Sequence, residues 1–105
     1  MYVRLHSGTI KAGMRDEARA VYDELASQML AQYPACRAVY RLEQGDRFIG
    51  LSFWTDREQM EAYAQSDLAR AAHRKAEPYL IEHSVTWYEV VRENLPPGAR
   101  SPFTG

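Results

Sequence analysis

The residues of this chain best suited to chemistry are His73 and Tyr63, which lie ten positions apart. The imidazole of His73 can exchange a proton near neutral pH, and the phenol of Tyr63 can hydrogen-bond a substrate carbonyl or quinol. The competing structural interpretations are a solvated histidine and a tyrosine of the core. Trp54, which ends the apolar stretch FIGLSFW, is interpreted either as packing or as the wall of a pocket.

A second group of polar side chains lies near the N-terminus, where Arg4 and His6 occupy one side of an alternating segment. If this side faces the helices, His6 is positioned as a base and Arg4 as a clamp for an anion. If it faces a partner subunit, both residues are polar groups of an interface. His83, near the other end of the chain, presents the same two alternatives.

These residues must be positioned by elements that the sequence predicts in the order strand, helix, strand, strand, helix, strand. Period-two alternation predicts the strands and helical periodicity predicts the helices. Thr55 and Glu58 have the spacing of a capping box, and Ser66 is expected to cap a second, short helix. The predicted strands are 2–10, 36–43, 48–54 and 79–91, and the predicted helices are 14–32 and the pair within 55–77.

This order is typical of ferredoxin-like α+β domains, in which two helices cover one face of a four-stranded antiparallel sheet. The open face would carry Tyr, Val and Trp side chains, and an exposed apolar face of that size usually marks an association surface. The sequence therefore predicts a homodimer formed through the sheet face. We expect one domain over residues 1–93 and a Pro/Gly-rich C-terminal tail over 94–105, either disordered or draped over a neighbour.

Composition excludes several classes of function. The formal net charge is -1, so neither nucleic acid nor a membrane surface is expected as a partner. The single Cys36 permits no internal disulfide, and no apolar run is long enough to span a bilayer, so a cytoplasmic protein is expected. The sequence has no glycine-rich phosphate loop, no paired Cys for zinc and no Asp/Glu cluster for a divalent ion, so no metal site is expected.

The order of elements, the turn KAG before the first helix and the run FWTDREQMEAYAQSD resemble the antibiotic biosynthesis monooxygenase superfamily over about residues 2–92. The resemblance implies a dimeric α+β barrel. The segment AYAQSDLARAAH is similar to that of heme-degrading members, in which a mid-helix Trp precedes by ten residues the His that ligates heme iron. Matched residue by residue, His73 falls on the ligand position and Tyr63 on the Trp position.

Those heme-degrading enzymes, like several cofactor-independent oxygenases of the superfamily, also use an Asn on the first strand. Counting back from Gly13 without a gap matches this position to His6. Following the apolar alternation from Val3 and Leu5 matches it to Ser7 instead. The sequence leaves both assignments open.

Three functional hypotheses follow. The first is a monooxygenase that requires no cofactor and oxidises a small aromatic or quinol-type molecule with O2, in a pocket between the sheet and the helices within 55–77. The second is a heme-binding protein, with or without heme degradation, that uses His73 as the iron ligand. The third is a non-catalytic dimeric module that binds a metabolite. The candidate catalytic residues are His73, Tyr63 and His6, and the candidate substrate-binding residues are Trp54, Ser7 and Arg4.

Overall fold

The computed structural model describes residues 1–104, and its elements follow the predicted order. A short 3-10 turn, Glu77–Tyr79, precedes the last strand and contains Pro78. The strands are β1 (Tyr2–Ile10), β2 (Cys36–Gln44), β3 (Arg47–Trp54) and β4 (Leu80–Glu89), and the helices are α1 (Arg15–Gln32), α2 (Arg57–Ala64) and α3 (Asp67–Ala76).

The four strands form one antiparallel sheet in the order β2-β3-β1-β4. This is the ferredoxin-like α+β arrangement that the sequence predicts. Successive side chains of a strand point to opposite faces, so Arg4 and His6 of β1 lie on the helix side and Val3 and Leu5 on the open side. The helix-side residue opposite Arg4 is Ser52 on β3 and Trp87 on β4.

The core lies between the helices and the sheet. Helix α1 buries Leu25 and Met29 there, and the largest fully buried side chains are Trp54, Met60 and Tyr63. Burying such side chains contributes roughly 1.5–3 kcal/mol each to the free energy of unfolding. Among residues 1–104, no helix has the length and apolarity needed to cross a membrane.

The two short helices are capped differently from each other. The predicted capping box at Thr55 is wrong, because the backbone is still extended at Asp56 and α2 begins one residue later. The Asp56 carboxylate accepts from the Gln59 N–H at 3.3 Å. The prediction for α3 is confirmed, since the Ser66 hydroxyl accepts from the Ala69 N–H at 3.1 Å.

The C-terminal tail packs on its own chain, whereas the sequence predicts a tail that is either disordered or draped over a neighbour. Ser101 and Phe103 are buried, and the Phe103 ring lies 5.3 Å from that of Phe53 on the open face of the sheet. The Ser101 hydroxyl also donates to the Glu93 carboxylate at 2.6 Å. Pro and Gly prevent this segment from continuing β4, but they do not prevent an aromatic anchor from burying apolar surface.

Two strand glycines provide a matched test of the sheet. A Cβ on Gly8 would clash with the Glu82 carbonyl oxygen and lie 2.9 Å from the Phe48 ring, whereas a Cβ on Gly50 would have no atom closer than 3.8 Å. Overpacking of this kind costs about 1–3 kcal/mol. We expect Gly8→Ala to lower the free energy of unfolding by that amount and Gly50→Ala to leave it unchanged or raise it by up to about 1 kcal/mol. Urea unfolding of the two variants measures this, and equal stabilities would contradict the close approach at Gly8.

Candidate functional site

A cavity of about 300 Å³ lies on the helix side of the sheet. Its floor comes from β1, β2 and β3, and α1 supplies most of its helical wall. Helices α2 and α3 contribute only Tyr63 and His73. The pocket expected between the sheet and the helices within 55–77 is therefore bounded mainly by a different helix. Its volume is at the lower end of the range for small-molecule sites.

Arg4 and His6 line this cavity and are 9% and 8% exposed. The sequence left open whether their side of β1 faces helices or a partner, and within this chain it faces the helices. Ser7, the other match to the superfamily's Asn position, points to the opposite face, where its Oγ lies 3.4 Å from that of Ser84. Only His6 of the two alternatives can therefore act in this cavity.

All three histidines of the chain lie together, with His6 and His73 lining the cavity and His83 beside them on β4. The ring centroid of His6 lies 5.3 Å from that of His73, with nearly parallel planes, and 5.3 Å from that of His83. His6 Nε2 and His83 Nδ1 are 3.3 Å apart, within hydrogen-bonding distance. His83 is exposed because β4 is an edge strand. Among residues 1–104, no three His, Cys, Asp or Glu side chains are arranged to hold a metal ion.

Burial controls the charge of these imidazoles. The pKa of His6 is lowered to about 3, chiefly by burial and further by electrostatic interaction with His73, His83 and Arg4. Burial, with electrostatic interaction with Arg4 and His83, also lowers the pKa of His73. Both rings are consequently neutral at pH 7, and a neutral imidazole has one nitrogen that accepts and one that donates.

Arg4 is a buried cation without a carboxylate partner among the described residues. Its guanidinium carbon lies 5.1 Å from the ring centroid of Tyr63. Burial lowers the pKa of Arg4, opposed only by the nearby Tyr63 phenol. Arginine remains charged even so, and the aromatic face stabilises the charge by about 0.5–2 kcal/mol. The cation is thus left to face the cavity.

Tyr22 lies in the apolar stripe of α1 and lines the cavity, but it is not among the candidate residues that the sequence indicates. Its hydroxyl is buried and has no hydrogen-bond partner among residues 1–104. Its ring packs against His6 at 5.5 Å and Phe48 at 5.3 Å. Burial raises the pKa of Tyr22 to about 12, so the phenol keeps its proton and can donate to a ligand. A tyrosine within an apolar stripe was the available signal, but it does not indicate a cavity by itself.

Trp54 is placed in the core. It is 0% exposed, packs against Tyr33 and Tyr63, and its indole N–H donates to the Ser52 hydroxyl at 2.8 Å. The cavity therefore brings together His73, Tyr63, His6 and Arg4. It does not include Trp54 or Ser7.

Comparison with known proteins identifies the family. The sequence profile described as antibiotic biosynthesis monooxygenase matches residues 1–75. The chain therefore belongs to the antibiotic biosynthesis monooxygenase family, as its sequence resemblance predicts. No functionally curated protein matches it.

Solved structures of the same family share its fold. A candidate antibiotic biosynthesis monooxygenase from Deinococcus radiodurans superposes with a TM-score of 0.82 at 16% identity, covering 93% of this chain and 100% of that one. One from Caulobacter crescentus gives 0.78 at 14% identity, with 87% and 90% covered. One from Nitrosomonas europaea gives 0.77 at 14% identity, with 88% and 100% covered. At these identities the similarity establishes the fold alone.

The buried neutral state of His6 predicts destabilisation in mild acid. A histidine whose pKa is about 3 when folded and about 6.5 when unfolded binds protons preferentially in the unfolded state between these values. Its contribution to stability is complete above pH 6.5 and falls by up to about 1.4 kcal/mol per pH unit below it. We expect His6→Gln to remove most of the loss of Tm between pH 7 and pH 5, leaving the smaller contribution of His73. Thermal unfolding at both pH values measures this, and an unchanged pH dependence would contradict the assignment.

Proposed function

We propose that this protein is a monooxygenase that needs no cofactor and oxidises a small aromatic or quinol-type substrate with O2. The observation that carries the proposal is the cavity itself, in which the buried neutral base His6 lies beside two partnerless donors, Arg4 and the Tyr22 hydroxyl. A base next to stabilisers of negative charge is the arrangement that proton abstraction requires. Membership in the antibiotic biosynthesis monooxygenase family supports the same class of reaction.

His6 removes the substrate proton in this proposal, and His83 carries it to water. We assign the Nε2–H tautomer to His6, so that Nε2 donates to His83 Nδ1 at 3.3 Å and Nδ1 accepts from the substrate. As the proton reaches Nδ1, the Nε2 proton passes to His83, which is exposed. A base whose pKa is lowered to about 3 would hold a proton poorly, and the relay relieves it of that charge.

The anion that remains is stabilised by Arg4 and by the Tyr22 phenol. Tyr63 and Phe48, which also line the cavity, provide aromatic surfaces for the ring. The substrate anion transfers an electron to O2, and the two radicals combine into a peroxide. Loss of water then leaves one oxygen atom in the product. The overall balance is RH2 + O2 → RO + H2O, so the substrate supplies all four electrons and no other reductant is needed.

Oxygen consumption with a panel of anthrones and hydroquinones tests this function. We expect His6→Gln to lower kcat/KM by about 10²-fold or more, the usual contribution of a positioned base. His83→Gln should have a smaller effect, because it removes the relay and leaves the base in place. Ser7→Ala, on the opposite face of β1, is the matched control and should retain wild-type activity. Absence of oxygen uptake with every substrate would exclude the monooxygenase chemistry.

Heme binding through His73 is the alternative that the sequence suggests. His73 lines the cavity, but its ring is nearly parallel to that of His6 at 5.3 Å. A macrocycle ligated by His73 would have to displace His6 and enlarge a space of about 300 Å³. The residues present therefore fit a small aromatic molecule better than heme. Hemin titration distinguishes the two, because a Soret shift that is lost in His73→Ala would favour heme.

The third alternative, a non-catalytic module, has its own signature. It predicts saturable binding of an aromatic ligand in the cavity with no oxygen consumption. It also predicts that His6→Gln and Tyr22→Phe change affinity alone. Calorimetric titration run beside the oxygen electrode separates this outcome from the enzyme.

We further propose that the protein is a homodimer formed through the open face of the sheet. Leu42 and Tyr88 on this face are 49% and 60% exposed, and Leu51 and Ile49 lie between them. Exposed apolar surface of this kind favours association. The Phe103 segment of the tail covers one part of the face, beside Phe53, and the remainder is available to a second copy.

Light scattering coupled to size-exclusion chromatography tests the dimer. At micromolar concentration we expect twice the chain mass of 12.1 kDa. Leu42→Glu should shift the protein to a monomer, because a charge would be buried at the interface. Leu30→Glu, at an equally exposed position on α1, is the control and should remain dimeric. A wild-type monomer would contradict the proposal.

A further inference from the structure

The geometry points to an organic anion as the ligand of the cavity: we infer that the substrate is a small hydroxyaromatic carboxylate whose carboxylate pairs with Arg4. The identity of the reacting hydroxyl rests on the function proposed above. The anion site itself rests on the partnerless state of Arg4 and can be tested without turnover.

Two arginines line the cavity, and only one has its charge compensated. Arg41 donates to the carboxylates of Asp23 and Glu43, the latter at 3.1 Å. Asp23, an acidic residue of the cavity lining, is therefore already paired. Arg4 lies deeper, has no carboxylate partner among residues 1–104, and has Ser52 and Trp87 as its cross-strand neighbours.

Burial of an uncompensated guanidinium opposes folding. A buried charge is normally paired, and replacing a buried ionic group by an apolar one of similar volume often leaves stability unchanged or raises it. The face of Tyr63 stabilises the cation but supplies no hydrogen-bond acceptor. A planar guanidinium that faces an open cavity matches the two oxygens of a carboxylate. The carboxylate of the ligand thus supplies the partner that Arg4 lacks.

A second buried polar group without a partner, the Tyr22 hydroxyl, indicates where the rest of the ligand binds. The buried Tyr22 hydroxyl has no partner among the described residues, and its ring packs against His6. Arg4 and His6 are two residues apart on one strand, so their Cα atoms are separated by roughly 7 Å. This separation suits one aromatic ring, with its carboxylate at Arg4 and a hydroxyl on its far side between His6 and Tyr22.

Calorimetric titration with 2,5-dihydroxybenzoate and its neutral methyl ester tests the inference. The acid is a quinol that carries a carboxylate, and the ester replaces this anion by a neutral group that is one methyl larger. We expect the wild-type protein to bind the acid at least about tenfold more tightly, as is usual for a charge-assisted hydrogen bond. Equal affinities, or no binding of the acid at millimolar concentration, would overturn the inference.

Three variants assign the preference to its residue. Arg4→Met should abolish the preference for the acid, retain binding of the ester, and keep or raise Tm because a buried charge is removed. Arg4→Lys, which keeps the charge without the planar fork, should retain part of the preference and serves if the first variant does not fold. Arg70→Met, at an exposed arginine of α3 outside the cavity lining, is the matched control and should retain the preference. An undiminished preference in both Arg4 variants would overturn the assignment.

Oxygen consumption separates this inference from the proposed function. Preferential binding of the acid without oxygen uptake on any substrate would leave the anion site standing and remove the monooxygenase. Oxygen uptake with equal kcat/KM values for charged and neutral quinols would support the monooxygenase and overturn the anion site.

Discussion

The placement of Arg4 and His6 on the buried face of β1 is the constraint on which the rest of the structure depends. The alternating residues Val3 and Leu5 are the more apolar set, yet they lie on the open face. A strand ordinarily turns its apolar side toward the core, so this orientation costs free energy within the single chain. It leaves a polar floor beneath α1, where a cavity can persist, and an apolar surface on the other side of the sheet.

The sheet order gives this polar floor a route to solvent. Strand β1 is central, with β3 on one side and the edge strand β4 on the other. His6 is buried because its strand is central, while His83 is exposed because β4 is at the edge. Their hydrogen bond crosses from one strand to the next, so a buried imidazole is connected to water without opening the core.

Much of the fold could be predicted from local pattern, whereas the site could be predicted only in part. The alternation in β3 and the cap at Ser66 depend on neighbouring residues, and both were predicted well. Which face of β1 the helices cover depends on contacts made by the whole sheet. The sequence therefore did not determine whether Arg4 and His6 face the helices or a partner subunit. Trp54, a candidate pocket residue, lies in the core because it packs against aromatic residues from other parts of the sequence. Such contacts cannot be predicted from local pattern.

Arg4 and His6 are electrostatically coupled within the cavity. The charge of Arg4 is one of the causes that lower the pKa of His6, so an anion bound to Arg4 would cancel part of that effect and raise the pKa of His6. The base would therefore be weak in the empty cavity and stronger when an anionic ligand is present. Such coupling favours proton abstraction from the bound molecule over protonation by water. In the proposed function the partnerless arginine therefore has two roles, since its charge would attract the ligand and adds to the effect of burial, the chief cause of the low pKa of His6.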